Sequence, residues 1–411
     1  MASPDPGLSL YLHVPFCTDK CLYCDFFSVP RGSVPPSVIT RVVEQTVELA
    51  QTLWDASGRA PLRTLFIGGG TPSCLPPSLL RRLLGPFVGQ GVVEWTVESN
   101  PETLSQAFLD ECEAAGVTRL SLGIQSLSSE LLQRVRRRAT REQSLSAIDL
   151  LRRKWRGQVN LDFITGIPGQ TQDDVGECLS VIQPQWPDHV SLYQLTVEPG
   201  TPLEAGVADR SIRLNEPEKD EDLWLAGREG LLSRGFRQYE VSNFARPGRE
   251  CRHNVRYWMI QPYAGAGPGA VSTIPSAWAS RLAGLMLPTA PSPVVRLSAP
   301  KDLPLFLAGR ERFWGVEVEA VERSDFLLEV LMMGLRLSDG IPSGRMEQVF
   351  GAPFARLFPG LWERWEAAGN ALPAGERLQL TASGLLVLDH LLEEVAERAP
   401  SAWTGAPVRW P

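Results

Sequence analysis

Residues 9–26 read SLYLHVPFCTDKCLYCDF. The alternation over residues 9–14 predicts a β-strand. It runs directly into a loop carrying three cysteines, Cys17, Cys21 and Cys24. Downstream, the same strand-then-loop pattern recurs. Residues 63–67, 93–98, 119–124, 159–164 and 189–196 read as strands. Residues 38–54, 77–84, 104–115, 129–135, 141–153 and 173–182 read as helices, with Ser37 as an N-cap and Gly116 as a stop. Six strands alternating with helices over about 190 residues predict a parallel sheet with crossover helices. The polar and Gly/Pro-rich segments all follow strands, where parallel barrels build their sites. The fold class expected is therefore α/β, a partial (β/α)6 barrel over residues 1–270.

Beyond residue 196 the pattern changes. Residues 199–215 read as an irregular excursion and residues 218–233 as a helix. A polar and aromatic stretch covers 238–263, followed by a Gly-rich run over 265–269. Residues 271–305, rich in Pro, Ala and Ser, are expected to be a linker or irregular segment. From residue 306 the chain turns helical, most strongly over 325–337 and 381–395. A smaller, mainly helical C-terminal domain is expected over 306–411.

The chain has 411 residues, 43% of them hydrophobic and 21% charged, with a net charge of −7. This composition excludes a disordered, collagenous or coiled-coil chain. An acidic chain has no overall attraction to nucleic acid, and membrane contact is expected to be peripheral at most. The apolar runs are strand-length, and residues 1–7 lack a basic stretch followed by an apolar one. A cytoplasmic location is the resulting expectation. Seven cysteines, four of them scattered, make a poor disulfide framework.

The other three cysteines carry chemistry. Three thiolates on one short loop can hold three corners of a 4Fe-4S cubane and leave the fourth iron open to a small molecule. Zinc is the alternative: a structural site wants four ligands, usually as two spaced pairs. No second cysteine pair exists, although His13 is close in sequence.

Tyr11-Leu-His13-Val-Pro-Phe-Cys17 and Cys21-Leu-Tyr23-Cys24-Asp-Phe26 closely resemble the radical S-adenosylmethionine (radical SAM) signature. The nearest branch is the one containing oxygen-independent coproporphyrinogen III oxidase and the haem chaperone HemW. The resemblance is strong over about residues 9–270. It continues into a winged-helix-like C-terminal domain of the oxidase family through Arg336-Leu-Ser-Asp-Gly340-Ile and Leu380-Thr-Ala-Ser-Gly384. It implies a 4Fe-4S cluster on Cys17, Cys21 and Cys24, whose open iron chelates S-adenosylmethionine (SAM). Tyr11 and Tyr23 would line the same pocket. Gly69, Gly70 and Thr71, in the run Gly68-Gly-Gly-Thr-Pro72, would meet the SAM amino group. Glu98, Gln125 and Asp162 would contact or support SAM, and Arg137 would pair with its carboxylate. Ala139 stands where the family has a histidine near that arginine.

Two functions share this core. One is a haem chaperone that carries the cluster and SAM, binds haem as cargo and passes it to an apo-haemoprotein, with an electron donor as a further partner. The other is an enzyme that oxidatively decarboxylates the propionates of coproporphyrinogen III through a 5′-deoxyadenosyl radical; another radical SAM tailoring enzyme is a third reading. Phe26 stands where the oxidase has a further cysteine, and only ten residues precede Tyr11; both favour the chaperone. So does the HNxxYW pattern. Within it, Cys251 and His253 are candidate haem-iron ligands beside Asn254, and Tyr257 and Trp258 are candidate stacking partners. This stretch is expected to present an accessible haem surface.

Overall fold

The computed structural model describes residues 7–287, 292–402 and 408–410. Residues 1–6, where no leader was expected, and residues 288–291 of the expected linker lie outside the described part.

Strand β1 (Leu8–Val14) starts the barrel, and its alternation explains the rest. Leu8, Leu10, Leu12 and Val14 face outward into the helix layer and are essentially inaccessible. Ser9, Tyr11 and His13 face the other way. The same split recurs in β2 (Leu62–Gly69), β3 (Glu94–Ser99), β4 (Arg119–Gln125), β5 (Gln158–Thr165) and β6 (His189–Gln194). Parallel strands are usually apolar on both faces. Here the inner face carries Thr64, Glu98, Ser121, Asn160, Asp162, His189 and Ser191, so the lumen is polar.

Helices α1 (Pro36–Ala56), α2 (Pro77–Leu84), α3 (Gln106–Ala115), α4 (Ser129–Arg134), α5 (Arg141–Lys154) and α6 (Gln172–Ser180) cross between successive strands. Their ends are locally encoded. Thr140 and Gln143 form a capping box at α5, and Gly116 closes α3 at φ 86°. The predicted strands and crossover helices thus appear within a few residues of their expected bounds.

Three expectations need correction. Residues 199–215 are not wholly irregular, because Thr201 caps helix α7 (Pro202–Ala208). After α8 (Pro217–Ser233), short strands β7 (Arg237–Gln238) and β8 (Asn243–Ala245) extend one sheet edge. Helix α9 (Arg252–Trp258) follows. Secondly, the described residues of 271–305 are not a linker. Strand β9 (Tyr263–Ala266) pairs in parallel with β1, and β10 (Val271–Pro275), β11 (Val294–Ser298) and β12 (Glu317–Ala320) continue antiparallel from it. The result is a twelve-stranded sheet ordered β12-β11-β10-β9-β1-β2-β3-β4-β5-β6-β8-β7. Non-local pairing makes these strands where composition suggested none. Thirdly, Leu303, Phe306, Phe313 and Trp314 pack into the barrel core, so the expected break at 305/306 falls inside that core. The second core gathers Val321, Phe326, Leu361, Trp362, Trp365 and Val395, and also takes in Ile260 and Val294 from the barrel side. The helix expected over 381–395 is two, Ala382–Leu386 and Leu388–Ala402.

Candidate functional site

At the C-terminal mouth of the strands lies a cavity of about 370 Å³. Its wall contains Cys17, Cys21 and Cys24 from the loop after β1, with Tyr23 between them. Gly69, Gly70 and Thr71 follow β2, Glu98 lies near the end of β3, Gln125 ends β4, and Asp162 rises from β5. Arg137 comes from the segment after α4. All of the expected cluster and SAM residues except Tyr11 meet here. Tyr11 lies deeper in the lumen, its hydroxyl 3.0 Å from His13 Nδ1 and its ring 6.2 Å from Phe66. It supports the floor and does not line the cavity.

The backbone at the mouth leaves no room for side chains. A Cβ on Gly69 (φ 103°) would stand 2.4 Å from the His13 ring, and one on Gly70 2.5 Å from Phe16 O. Gln125 holds a left-handed φ of 65° beside a register shift between β4 and β5. Such strain in a residue with a Cβ costs about 1–3 kcal/mol and persists where surrounding structure imposes it. The twist aims the Gln125 amide into the cavity.

Arg137 is held on three sides. Nη2 donates to Asn100 Oδ1 and to Gly123 O, both at 2.7 Å, and Nη1 lies 3.7 Å from Cys21 Sγ. Its Nε is buried without a partner. Asn100 continues the chain, donating to Thr71 Oγ1 at 2.9 Å, and Thr71 Oγ1 lies 3.6 Å from Cys17 Sγ. Asn100 was not foreseen as a site residue, nor were Ser121, Asn160 and Tyr193. The signal for Ser121 and Asn160 was the inward phase of their strands.

Two carboxylates share the lumen. Glu98 accepts from Gly69 N at 3.1 Å, and burial, reinforced by the charge of Asp162, pushes it up to about 8. Burial also raises Asp162, against hydrogen bonds from Ser121 Oγ and Asn160 Nδ2, each at 2.8 Å. Burial lifts the Cys17 and Cys24 thiols too, Cys24 to about 11. They become thiolates only when a positive centre offsets that cost.

His13 is committed elsewhere: its ring joins Tyr11 Oη through Nδ1 and Phe27 O at 2.8 Å through Nε2, and burial lowers it to about 4. It is not a fourth thiol partner. Among the described residues no three Cys, His, Asp or Glu side chains converge as on a single ion. A cubane needs no such convergence, since its irons occupy separate corners. The buried, unpartnered Arg137 Nε, the glycine cradle and the three thiols on one wall fit a cluster with a carboxylate-bearing ligand beside it.

The HNxxYW stretch lies at the opposite end of the barrel. Cys251 is 3% exposed, its thiol 3.5 Å from the Glu94 carboxylate, and burial with that charge pushes it up to about 12. His253 turns inward, with Nδ1 2.8 Å from Thr64 Oγ1 and its ring 5.1 Å from Phe66. Asn254 is half-buried. Tyr257, 42% exposed, packs against Trp258 and Tyr263. Trp258 lies under Arg336 at 5.6 Å. The expectation of an accessible haem face is corrected for Cys251, whose thiol is buried at the base of the barrel; His253 is half-buried, with its Nδ1 held by Thr64.

The Radical SAM superfamily pattern matches residues 11–182, and the HemN C-terminal domain pattern matches residues 321–387. "Radical S-adenosyl methionine domain-containing protein 1, mitochondrial" of Bos taurus is 35% identical over 98% of this chain and 90% of its own. "Heme chaperone HemW" of Mycobacterium tuberculosis is 34% identical over 94% of this chain and 95% of its own. The chain belongs to the HemW-type radical SAM family. HemW of Haemophilus influenzae is 32% identical over 84% of this chain and 87% of its own. The solved coproporphyrinogen III oxidase (HemN) of Escherichia coli superposes with a TM-score of 0.72 over 96% of this chain and 91% of that one, at 21% identity. At that identity the match establishes the fold alone. Superfamily membership implies a 4Fe-4S cluster and SAM. None of the model's described helices is long and apolar enough to cross a membrane.

Proposed function

We propose that this HemW-type protein is a cytoplasmic haem chaperone. It holds a 4Fe-4S cluster on Cys17, Cys21 and Cys24, binds SAM at the barrel mouth, carries haem and delivers it to an apo-haemoprotein. The observation that carries the reading is near full-length similarity to proteins named as haem chaperones. Phe26 adds to it. At the cavity rim and 59% exposed, it offers no thiol where the resembling oxidase has one.

With SAM beside it, the cluster supplies a centre for one-electron transfer, and an electron donor is an expected partner. This chain's residues do the positioning. Arg137, with its buried Nε, pairs with the SAM carboxylate. Gly69 and Gly70 let the backbone approach the amino group. Glu98, Gln125 and Asp162 offer polar contacts from three strands. Asn100 ties the Arg137 guanidinium to Thr71 and fixes both.

The test is a spectrophotometric titration of anaerobically reconstituted protein with haem, followed by addition of an apo-haemoprotein. The expected result is retained haem that then moves to the recipient. No haem retention in any cluster state overturns the reading.

A further inference from the structure

Helix α9 has a second face. While His253 turns into the barrel, Arg252, Val255, Arg256 and Met259 line a cleft of about 840 Å³ between the strand starts and the C-terminal domain. Thr64 and Val93 bring the strand starts to its wall, and Arg345 and Val349 bring the C-terminal domain.

The charge of this cleft opposes that of the whole chain. Six arginines line it, Arg63, Arg237, Arg252, Arg256, Arg345 and Arg377, against two acids, Glu250 and Asp339. Asp339 is already paired with Arg237. Arg345 donates to Met259 O at 2.7 Å and Ile260 O at 3.4 Å, both neutral acceptors. Arg256 Nε donates to Ser9 Oγ at 2.7 Å. Setting aside Arg63 and Arg256, which have further partners of their own, four arginines against two acids leave a surplus of two positive charges among the described lining residues of a chain whose net charge is −7, and this marks a place for an anion. Between the arginines the wall is apolar, with Val93 47% exposed and Val255, Met259 and Val349 beside it. The volume lies within the usual small-molecule range of roughly 300–1,000 Å³. Bulk, an apolar face and paired negative charge together describe a macrocycle with carboxylate arms.

We infer that this cleft is where the cargo haem sits, with its propionates among the arginines and Met259 facing the iron; this rests on the proposed chaperone function. Met259 is reached by elimination among the described lining residues. Of the usual haem-iron ligands, the other in the lining is the Tyr239 hydroxyl, and it is occupied by His189 Nε2 at 2.8 Å and Cys251 N at 3.4 Å. A thioether is a known haem-iron ligand and a soft one. One weak protein ligand leaves the opposite axial position for a recipient's side chain, which suits transfer.

The cleft is also separated from the cofactor cavity. Thr64 lines one and Gly69 the other, and five residues of strand at about 3.3 Å each put them roughly 16 Å apart. Haem held there is out of reach of chemistry at the barrel mouth.

The test uses the reconstituted full chain and haem, with Arg252→Glu and Met259→Leu compared with wild type. Arg252 is exposed, so its reversal leaves the fold intact, and Leu conserves the volume of Met259. Arg252→Glu should weaken haem binding roughly ten- to hundredfold, the weight of one charge-assisted pair. Met259→Leu should hold haem but alter its axial-ligand spectrum. Both should keep wild-type iron content and SAM affinity. If wild type binds haem and both variants match it in affinity and spectrum, the cleft assignment is wrong while the chaperone reading stands. If wild type binds no haem, both fall.

Discussion

At the scale of single residues, the site depends on buried groups waiting for partners. Arg137 Nε is buried and unpaired, and the rest of its guanidinium is tied to Asn100 and Gly123. Arg137→Ala should weaken SAM binding by about 1.5–3 kcal/mol, or roughly ten- to hundredfold, in a calorimetric titration. Unchanged affinity would place the carboxylate elsewhere. The thiol triplet should take up about four iron atoms per chain on anaerobic reconstitution, by the stoichiometry of a 4Fe-4S cluster. Stoichiometric zinc without iron would contradict the cluster assignment. Glu98 gives a pH signature in the apo protein. Its folded-state value, about 8, stands above the ordinary 4.5. Between those values the folded chain keeps a proton that the unfolded chain has lost, so stability falls as pH rises through the window. The slope from this one group is at most about 1.4 kcal/mol per pH unit. Glu98→Gln should flatten that part of the stability–pH curve; an identical curve would show that the carboxyl ionises freely in the folded state. The sequence made the three cysteines and Arg137 legible through spacing and motif. It could not show that His253 faces inward, because that depends on Phe66 and Thr64, nearly two hundred residues away.

At the scale of elements, Glu94 links strand β3 to helix α9. Its carboxylate accepts from the Arg252 and His253 backbone N–H groups at 3.0 and 2.9 Å. These are unsatisfied donors at the start of a helix, and Glu94 is only 5% exposed. Glu94→Ala should cost about 1–3 kcal/mol in denaturant unfolding, the penalty for buried donors left unpaired. A smaller change would mean that water replaces the carboxylate. The strand–helix alternation was readable because each barrel strand carries its own phase of apolar residues. Strands β10 and β11 were not, because Pro275 and the Pro/Ser-rich run after it masked short segments that form only by pairing with each other, with β9 and with β12. The break between the two C-terminal helices, at Val387 with φ −111°, likewise carries no Gly or Pro signal.

At the scale of the whole molecule, the proposed sites lie at opposite ends of the barrel. The mouth gathers the residues proposed for the cluster and SAM. The base gathers the arginine-lined cleft, roofed by the C-terminal domain, whose core also holds Ile260 and Val294 from the barrel side. A buried chain of hydrogen bonds runs between them, from Asp162 through Asn160 and His189 to Tyr239 and Cys251 N. Asp162 lines the cavity and Tyr239 the cleft. An enzyme acting on porphyrinogen propionates would need its substrate at the mouth, dry and aligned with the reacting carbon. A carrier needs a site that opens to a recipient. One measurement separates these directly. Reconstituted protein is incubated anaerobically with SAM, a reductant, haem and coproporphyrinogen III, while haem binding and protoporphyrinogen formation are followed together. The account predicts stable haem binding and no decarboxylated product; robust conversion of coproporphyrinogen III without haem retention would contradict it.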